Sequence, residues 1–488
     1  MGEELTQRPL EFNGSIRIEA RRERVTSETG AIVLREAIDR LGIVRWLAPR
    51  LYDPRDPALI THPLAELLHT ALLLYAQGWR DEDDADALRD DPAMRLAVST
   101  RRGVAPLEMR PRIEGQALDR NPLHPDGLAS QPTMSRLLSL MGGAGNCAVA
   151  RMAILECAAR RITMMNGAKL KYGILDVDSL PIEVEGHQPG SAHNGHYHAR
   201  IYHPIVATMA QTGDLLDVRL RPGFVGTADG ALEFILGLVD DAERKLCEKA
   251  AVRFDAGFPS EDLLAGLEAR EVDFLARLRN NPVLDRMAAP YLGAPPPRRP
   301  DDAPRTWFHE MSYEAASWSH ARRIVLVVLE RPEELFLHHF WIVTSWTADQ
   351  IRAQDLLAHY RQRGTAEGHM GELMDVLAPA LSSAPRAKSH YRGQPVEPHD
   401  SPCDAYGNNE ARLVLNALAY NILHVARLLL EKATQEGWSL RRVRERVLRI
   451  PARILLHGRR AIVAVAAYAA RTWSALLAQL AHLRLVES

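Results

Sequence analysis

At about residue 170 the hydrophobic pattern of the chain changes its period, and this change limits the folds that are available to it. From about 30 to 165, apolar residues recur at three- and four-residue intervals, as in TGAIVLREAIDRLGIVRWLAPRL and HPLAELLHTALLLYAQGW. This pattern predicts amphipathic helices. After residue 170, short apolar runs follow one another closely, in KYGILDVDSL, PIEVEG, HPIVATMA and DLLDVRLRPG. The sequence therefore predicts a helical region followed by a meander of strands.

Beyond the meander, predicted helices and strands alternate. Helical periods at 230–246 and in SEDLLAGLEARE are separated by apolar runs in AVRFDAGF and VDFLARLRN. A meander that continues into alternating helices and strands predicts an α/β fold, with helices packed on a mixed sheet. After the proline-rich stretch at 294–304, further strands are predicted in ARRIVLVVLE and LFLHHFWIVTSW. From there we expect helices to the end of the chain.

Length and composition limit the class of protein only broadly. The 488 residues are enough for two to four domains. The four cysteines are scattered without a CxxC pair, which indicates neither a disulfide framework nor a zinc module. There is no signal-peptide pattern, and apolar runs such as 71–76 are too short to span a bilayer. A soluble cytoplasmic protein is expected.

One segment is strongly basic although the net charge of the chain is only −2. Between Arg441 and Arg460 there are eight arginines and one acidic residue, Glu445. Such a face can follow a phosphate backbone, but a solvated helix face explains it equally well. The arginines that recur at helical spacing are Arg442, Arg446, Arg449 and Arg453.

Two aspartates lie at the ends of predicted apolar strands, Asp178 in ILDVDS and Asp255 in AVRFDAGF. Alternation puts Asp176 on the same side of its strand as Asp178. A carboxylate in such a place is costly unless it is paired or binds a cation. A single aspartate there is more often a turn or a helix cap. Carboxylates from three separate elements, however, can hold two divalent ions that support phosphoryl transfer.

The third carboxylate is in YRQRGTAEGHMGELMD, residues 360–375, which reads as a helix. Steps of three and seven residues bring Tyr360, Arg363 and Glu367 onto one stripe of that helix. The stripe is either an ordinary solvated face or one wall of a site that holds a metal and a phosphate.

In these residues the chain resembles the DDE transposases of bacterial insertion sequences, in the cut-and-paste group with a Y-x-x-R-x-x-x-E signature. Tyr360, Arg363 and Glu367 match that signature in full. Asp178, followed by a serine, matches the first catalytic aspartate, and Asp255 in RFDAGF matches the second. The resemblance extends from the helical N-terminal region to the segment NEARLVLNALAYNIL and covers most of the chain.

The resemblance implies an RNase H-like catalytic core that is interrupted by a β-rich insertion, with helical N-terminal and C-terminal regions. The expected domains are a helical DNA-binding region at 1–165, the first part of the core at 166–282, the insertion at 283–346, the final helical part of the core at 347–425 and a basic helical region at 426–488.

The resemblance also implies the chemistry. Asp178, Asp255 and Glu367 would bind Mg²⁺, for which Mn²⁺ could substitute, and would catalyse cleavage at insertion-sequence ends and strand transfer into target DNA. Tyr360 and Arg363 would contact the DNA backbone. The expected partners are double-stranded DNA, at terminal inverted repeats and at the target, and a second copy of the chain on that DNA. No membrane and no nucleotide cofactor are expected, and the protein would work at the nucleoid in the bacterial cytoplasm. A hairpin intermediate is an inference from the signature subgroup.

Several alternatives stay open. The family's lysine seven residues after the glutamate is replaced by Met374, so that cation is missing or is supplied by another residue such as His369. Asp176 competes with Asp178 for the first catalytic position. The chain could instead be a metal-dependent nuclease without strand transfer, or a catalytically inactive DNA-binding protein derived from a transposase.

A group of histidines in SAHNGHYHARIYH has no assigned role. Their spacing matches no standard zinc module, and a solvated or DNA-facing loop is the favoured interpretation. The histidines are His193, His196, His198 and His203.

Overall fold

The molecule is built around one mixed sheet of eight strands, with helices on both of its faces and a helical body at one edge. The strands are β1 Glu3–Glu4, β2 Glu19–Ala20, β3 Val25–Thr26, β4 Leu170–Ser179, β5 Ile182–Glu183, β6 Ala192–Asn194, β7 Ala199–Tyr202, β8 Ile205–Met209, β9 Leu215–Arg219, β10 Cys247–Phe254, β11 Asp273–Leu278, β12 Thr306–Tyr313, β13 Arg322–Leu329, β14 His338–Thr344, β15 Ala452–His457 and β16 Arg460–Val465.

The helices range from one turn to 33 residues. They are α1 Gly30–Leu41, α2 Ile43–Leu47, α3 Leu64–Ala76, α4 Asp84–Ala87, α5 Pro92–Val98, α6 Gln131–Met141, α7 Ala144–Asn166, α8 Ala231–Lys245, α9 Glu261–Glu268, α10 Pro282–Ala288, α11 Ala353–Arg361, α12 Arg363–Glu372, α13 Pro402–Thr434, α14 Leu440–Val443 and α15 Ala470–His482. This computed structural model describes residues 3–4, 11–13, 15–16, 18–20, 23–99, 127–293, 303–331, 334, 336–383, 402–457 and 460–483.

The centre of the sheet has the strand order β9-β8-β4-β10-β11. β4, β8 and β9 form an antiparallel meander. β10 then runs parallel to β4, and β11 runs parallel to β10. Helices α8 and α9 make the connections before and after β10. The predicted α/β fold with a large mixed sheet is confirmed.

β4 is the middle strand of this arrangement because its side chains are covered on both faces. Leu175 and Val177 are fully buried against the helix that carries Phe234 and Ile235. Burying an apolar side chain of this size contributes about 1.5–3 kcal/mol. α11 packs on the other face of the sheet, in a cluster with residues of β11, β13 and β14.

The N-terminal helices and α13 share one apolar core. α13 packs against α3, α6 and α7 and against the edge strand β9. The side chain of Asn421 accepts a hydrogen bond from the Leu215 N–H at 2.9 Å and donates one to the Leu215 carbonyl at 2.8 Å. These bonds pair the backbone N–H and carbonyl groups of Leu215, which lies on the edge strand β9, and they attach the helical body to the sheet.

One helix in the described part of the chain, Ala405–Thr434, is long and apolar enough by length and composition to cross a membrane. The sequence-based expectation that no apolar stretch is long enough is therefore wrong for this helix. In the structure, 94% of its most apolar window is buried inside the molecule. A helix that is surrounded by other elements needs apolar residues on all sides, which accounts for its composition.

The strands in the predicted insertion at 283–346 extend the same sheet. β14 pairs with β11, and β13 and β12 follow it, all antiparallel. Most of the proline-rich stretch at 294–304 lies outside the described residues.

The C-terminal region is not wholly helical, and the helical prediction for 426–488 is wrong over 452–457 and 460–465, which are strands. The helical segment ends at Leu448, and Pro451, which has no N–H to donate, precedes β15. β15 pairs with β16 and with β3 near the N-terminus. Alternating burial along β15, with Ala452 and Ile454 buried, is the period-2 signal of a strand.

Candidate active site at the end of the central strands

Asp178 and Asp255 lie side by side at the ends of adjacent parallel strands. The register of β4 and β10 pairs Val177 with Phe254, so the next residue on each strand is an aspartate. Parallel strands bring their carboxyl ends to one edge of the sheet. The backbone N–H of Ser179 donates to the Asp178 carboxylate at 2.8 Å, which orients it.

The Tyr360 to Glu367 signature spans two consecutive helices rather than one. Tyr360 is in the last turn of α11, and Arg363 begins α12 after a break at Gln362. The Gln362 N–H still donates to the Ala358 carbonyl at 3.3 Å, so the chain stays in helical conformation through the break. The spacing of three and seven residues therefore still points the three side chains the same way.

Arg363 is the centre of the site. One guanidinium nitrogen, Nη1, donates to Asp178 Oδ2 at 2.6 Å, and Nη2 donates to Glu367 Oε1 at 2.7 Å. The Tyr360 hydroxyl donates to Asp255 Oδ1 at 3.3 Å. The guanidinium carbon lies 6.0 Å from the centre of the Tyr360 ring. The structure thus brings together all five residues of the predicted motif.

Burial and charge shift the ionisation of these groups. Burial raises the pKa of Asp178, with a contribution from Asp255, while the charge of Arg363 opposes the rise. Burial would lower the pKa of Arg363, but the charge of Asp178 raises it above its ordinary value. Burial raises the pKa of Tyr360 to about 12, and Asp255 adds to this. The site is a cluster of three carboxyl groups around a permanently charged guanidinium and a neutral phenol.

Asp176, the rival for the first catalytic position, is occupied elsewhere. It is 1% exposed and accepts two hydrogen bonds from the guanidinium of Arg253, at 2.5 and 2.6 Å. Arg253 also donates to the His359 carbonyl. Asp176 is thus part of a buried ion pair that connects β4, β10 and α11. Asp178 instead contacts Arg363 in the cluster of carboxyl groups.

The donor set fits a hard divalent cation in kind. Carboxylate oxygens are the ligands that Mg²⁺ and Mn²⁺ prefer, and Asp178 and Asp255 offer them from neighbouring positions. Among the described residues, no three His, Cys, Asp or Glu side chains are placed to hold one metal ion. The positive charge that lies between the carboxylates of Asp178 and Glu367 is the guanidinium of Arg363, which pairs with both. Direct sharing of an ion by all three carboxylates requires Arg363 to leave that position.

The four basic residues predicted to line one helix face do not do so. Arg442 lies in α14, Arg446 in a short π-helical turn, Arg449 beyond the helical end and Arg453 in β15. The helix ends before Pro451, which breaks the assumed spacing.

Three of these arginines make contacts of their own. Arg442 lies over the Trp438 ring at 4.0 Å and pairs with Glu436 at 3.0 Å. Arg449 lies over Trp79 at 5.3 Å, and Arg453 pairs with Glu23 at 3.6 Å. Arg446 is exposed. The surface is basic, but two of its cations are partly neutralised by neighbouring carboxylates.

Met374 and His369 do not supply the cation that the family's lysine would provide. Met374 packs against the helical core. The His369 ring contacts the Tyr420 hydroxyl at 3.2 Å, on the α13 side of α12. It also lies against Gly213, whose positive φ of 75° forms the β8–β9 turn and where a Cβ would lie 2.7 Å from the ring. The suggestion that His369 replaces the lysine is therefore wrong.

The sequence did not reveal two neighbours of the carboxylates, Tyr197 and His203. Asp178 and Asp255 both contribute to a raised pKa of Tyr197, after the effect of burial. Asp178 also acts on His203, whose pKa burial lowers. Both residues belong to the histidine-rich segment, and the remaining histidines of that segment are exposed on the same hairpin: His193, His196 and His198. A hairpin that folds back on β4 leaves no signature in residue spacing.

Comparisons with known proteins give the family of the chain. A family model described as transposase DDE domain group 1 matches residues 8–390. Among solved structures, the chain is similar to one described as the cryo-EM structure of piggyBac transposase synaptic complex with hairpin DNA, with a TM-score of 0.43 and 10% sequence identity over 86% of this chain and 79% of that one. That likeness is too distant to carry an argument. No curated protein matches the sequence. Because the family model matches well over half of its length, the chain belongs to the DDE transposase family.

Proposed function

We propose that this chain is a cut-and-paste DNA transposase that cleaves DNA at the ends of a bacterial insertion sequence and transfers the cleaved strands into target DNA. The observation that carries this proposal is the contact network around Arg363. It joins carboxylates from a central strand and a late helix, while Tyr360 contacts the carboxylate of the adjacent strand. Five residues from three separate parts of the chain meet there.

We assign Asp178, Asp255 and Glu367 as the catalytic residues that hold divalent cations. The family normally uses a divalent metal, and we propose Mg²⁺, with Mn²⁺ as a substitute. When bound, such ions activate water and stabilise the charge of the leaving oxygen in phosphoryl transfer. The other residues have supporting roles in this scheme.

Arg363 and Tyr360 are proposed to position the DNA. A guanidinium presents several donors in one plane, which suits bidentate binding of a phosphate. Arg363 already spans two carboxylates, so it is placed to exchange one of them for a phosphate oxygen. Tyr360 holds Asp255 through its hydroxyl and lies beside the guanidinium, which limits the positions that Arg363 can take.

We further propose that the central sheet is an RNase H-like core. The support is its strand order. The antiparallel meander β4-β8-β9 is followed by β10, which pairs in parallel with β4, and by β11, which pairs in parallel with β10. The two aspartates lie at the carboxyl ends of the first and fourth strands of that unit, and the glutamate lies on a helix packed near them.

The partners follow from this scheme as proposals. We expect double-stranded DNA as the substrate, at terminal inverted repeats and at the target, bound in part by the N-terminal helices and by Arg442, Arg446, Arg449 and Arg453. Pairing two ends calls for a homodimer on DNA. We place the protein at the nucleoid in the bacterial cytoplasm, and a hairpin intermediate remains part of the proposal.

An end-cleavage and strand-transfer assay with Mg²⁺ tests the function. The substrate is a duplex that carries the inverted repeats flanking the gene. We expect cleaved ends and joined products. Cleavage without joining would indicate a nuclease, and end binding without cleavage would indicate an inactive DNA-binding protein.

Variants then test the residues. Asp178→Ala, Asp255→Ala and Glu367→Ala are each expected to abolish cleavage and to leave end binding largely intact. Asp375→Asn is the matched control, because Asp375 is an exposed carboxylate a short distance further along the chain. Cleavage by any of the three alanine variants would reject the assignment of that residue.

A further inference from the structure

The hairpin formed by β6 and β7 lies beside the carboxylates. β7 leads through His203 directly into β8, and Val206 of β8 pairs with Asp178 of β4. Tyr197 lies in the tight connection between β6 and β7, where His198 adopts a positive φ of 53°. The short strands therefore carry the tip of the hairpin to the end of the central sheet.

Tyr197 presents a free hydroxyl at this place. Its side chain is 37% exposed. Within the described part of the chain, its hydroxyl has no hydrogen-bond partner. A phenol keeps its proton near neutral pH and therefore remains a donor. Tyr197 contacts His203, two residues before Ile205, which pairs with Ser179 beside Asp178.

The ring of His203 packs against the ring of Tyr197. His203 is 4% exposed, and its ring centre lies 6.1 Å from that of Tyr197 in an edge arrangement. Its Nδ1 lies 3.0 Å from the Val225 carbonyl. A carbonyl can only accept a hydrogen bond, so Nδ1 carries the proton and the orientation of the imidazole is fixed. The ring centre of Tyr197 also lies 4.8 Å from that of His196, in an edge arrangement.

Building on the function proposed above, we propose that Tyr197 binds the DNA strand at the carboxylates by donating a hydrogen bond from its hydroxyl to an oxygen of the cleaved phosphate. His203 is the positioning residue that keeps the Tyr197 ring in place. The charged and hydrogen-bonding groups around Tyr197 favour a phosphodiester as the ligand. Asp178 and Asp255 supply negative oxygens, Arg363 supplies donors on the α12 side, and Tyr197 supplies a donor on the hairpin side. A phosphodiester between them needs donors for its oxygens.

A thermodynamic cycle between the protein and the DNA tests this contact. The probe is the duplex end that the wild-type chain cleaves, prepared with a phosphodiester or with a methylphosphonate at the cleaved position. Binding is measured at equilibrium with Ca²⁺ in place of Mg²⁺. Tyr197→Phe removes only the hydroxyl. We expect it to weaken binding of the phosphodiester duplex about tenfold to 100-fold, the usual size for a hydrogen bond to a charged group, and to leave binding of the methylphosphonate duplex nearly unchanged.

Tyr291→Phe is the matched control, because Tyr291 also packs against a histidine, His309, at 4.0 Å, but outside this site. It is expected to bind both duplexes like the wild type. His203→Ala should reproduce the loss for the phosphodiester duplex alone, whereas general damage to the fold would weaken both.

Equal affinities of Tyr197→Phe and wild type for both duplexes, or equal losses on both, would overturn the proposal. Retention by Tyr197→Phe with a loss in Tyr197→Ala would mean that the ring stacks on a base and would also overturn it. Failure of the wild type to cleave the duplex with Mg²⁺ would instead reject the proposed function itself.

Discussion

Arg363 and Asp178 are 185 residues apart in the chain, and their side chains are joined by a hydrogen bond of 2.6 Å. The same guanidinium holds Glu367 at 2.7 Å. Through these bonds one side chain fixes the position of α12 relative to the central strand. An ion pair with only partial exposure, at 14% for Arg363 and 20% for Asp178, is held more firmly than a surface pair.

The geometry of Arg363, and not only its charge, should be needed. Arg363→Lys keeps the positive charge, but an ammonium cannot reproduce the planar fork that reaches two oxygens. We expect end cleavage to fall by about 100-fold, the size of effect that follows from a displacement of about 1 Å in a catalytic site. Single-turnover cleavage with Mg²⁺ measures this.

Arg361→Lys is the control for that substitution, since Arg361 is exposed in the last turn of α11. It should cleave at the wild-type rate. Wild-type cleavage by Arg363→Lys would show that charge alone suffices.

Asp176 should matter for stability. Asp176→Asn leaves Arg253 buried without its charge partner, and breaking a buried pair in this way costs about 3–5 kcal/mol. Asp178→Asn removes one partner of a more exposed pair and should cost clearly less than Asp176→Asn. The shift of the urea unfolding midpoint measures both. Equal shifts for the two variants would contradict the division between a structural and a site aspartate.

The sequence predicted which residues lie close together around Arg363, but not the contacts that neighbouring residues such as Asp176 make. The ends of two apolar strands and a stripe of three residues on a helix are local patterns, and each is visible in the chain around Asp178, Asp255 and Glu367. The sequence could not decide whether Asp176 or Asp178 belongs to the site, because alternation places both on one side of β4. The choice depends on Arg253, which the parallel pairing of β10 with β4 brings opposite Asp176.

Glu372 should make the stability of the protein depend on pH in the acid range. Burial would raise the pKa of Glu372, but the nearby His369 ring, the hydrogen bond from the Leu440 N–H and the charge and hydrogen bond of Arg427 lower it from 4.5 to about 2. The folded state thus favours the ionised form. This contribution is complete above about pH 4.5 and is lost as the pH falls towards 2.

Glu372→Gln removes that contribution. The difference in unfolding free energy between wild type and Glu372→Gln should shrink from at most about 3 kcal/mol at neutral pH to near zero at about pH 2. Asp375→Asn is the control for the loss of one negative charge. A difference that stays constant over this range would contradict the assigned ion pair.

Arg446 should contribute to DNA binding through charge alone. It is exposed, whereas Arg442 pairs with Glu436 and lies over Trp438. Arg446→Ala should weaken binding to all sequences alike and reduce the slope of log affinity against log salt concentration by about 1. Arg442→Ala should change the slope less. An unchanged slope in Arg446→Ala would remove Arg446 from the DNA surface.

The C-terminal region shows why spacing alone misled the prediction. Arg442, Arg446, Arg449 and Arg453 fit a helical period, but the proline at 451 ends the helix and the chain continues as β15. That strand forms because β3, more than 400 residues earlier, supplies pairing partners for it. A contact over such a distance leaves no mark in the local pattern. The ion pair between Glu372 and Arg427 of α13 is another contact between distant parts of the chain that local spacing does not show.

The most direct test of the account is the location of a divalent cation in a complex of the full chain with a DNA end and Mn²⁺. Anomalous diffraction from Mn²⁺ locates the ion without reference to activity. We predict density in contact with carboxylate oxygens of Asp178 and Asp255, with Arg363 turned from Asp178 towards a DNA phosphate. Absence of Mn²⁺ from these carboxylates, with Arg363 still joined to Asp178 and Glu367 beside bound DNA, would contradict it.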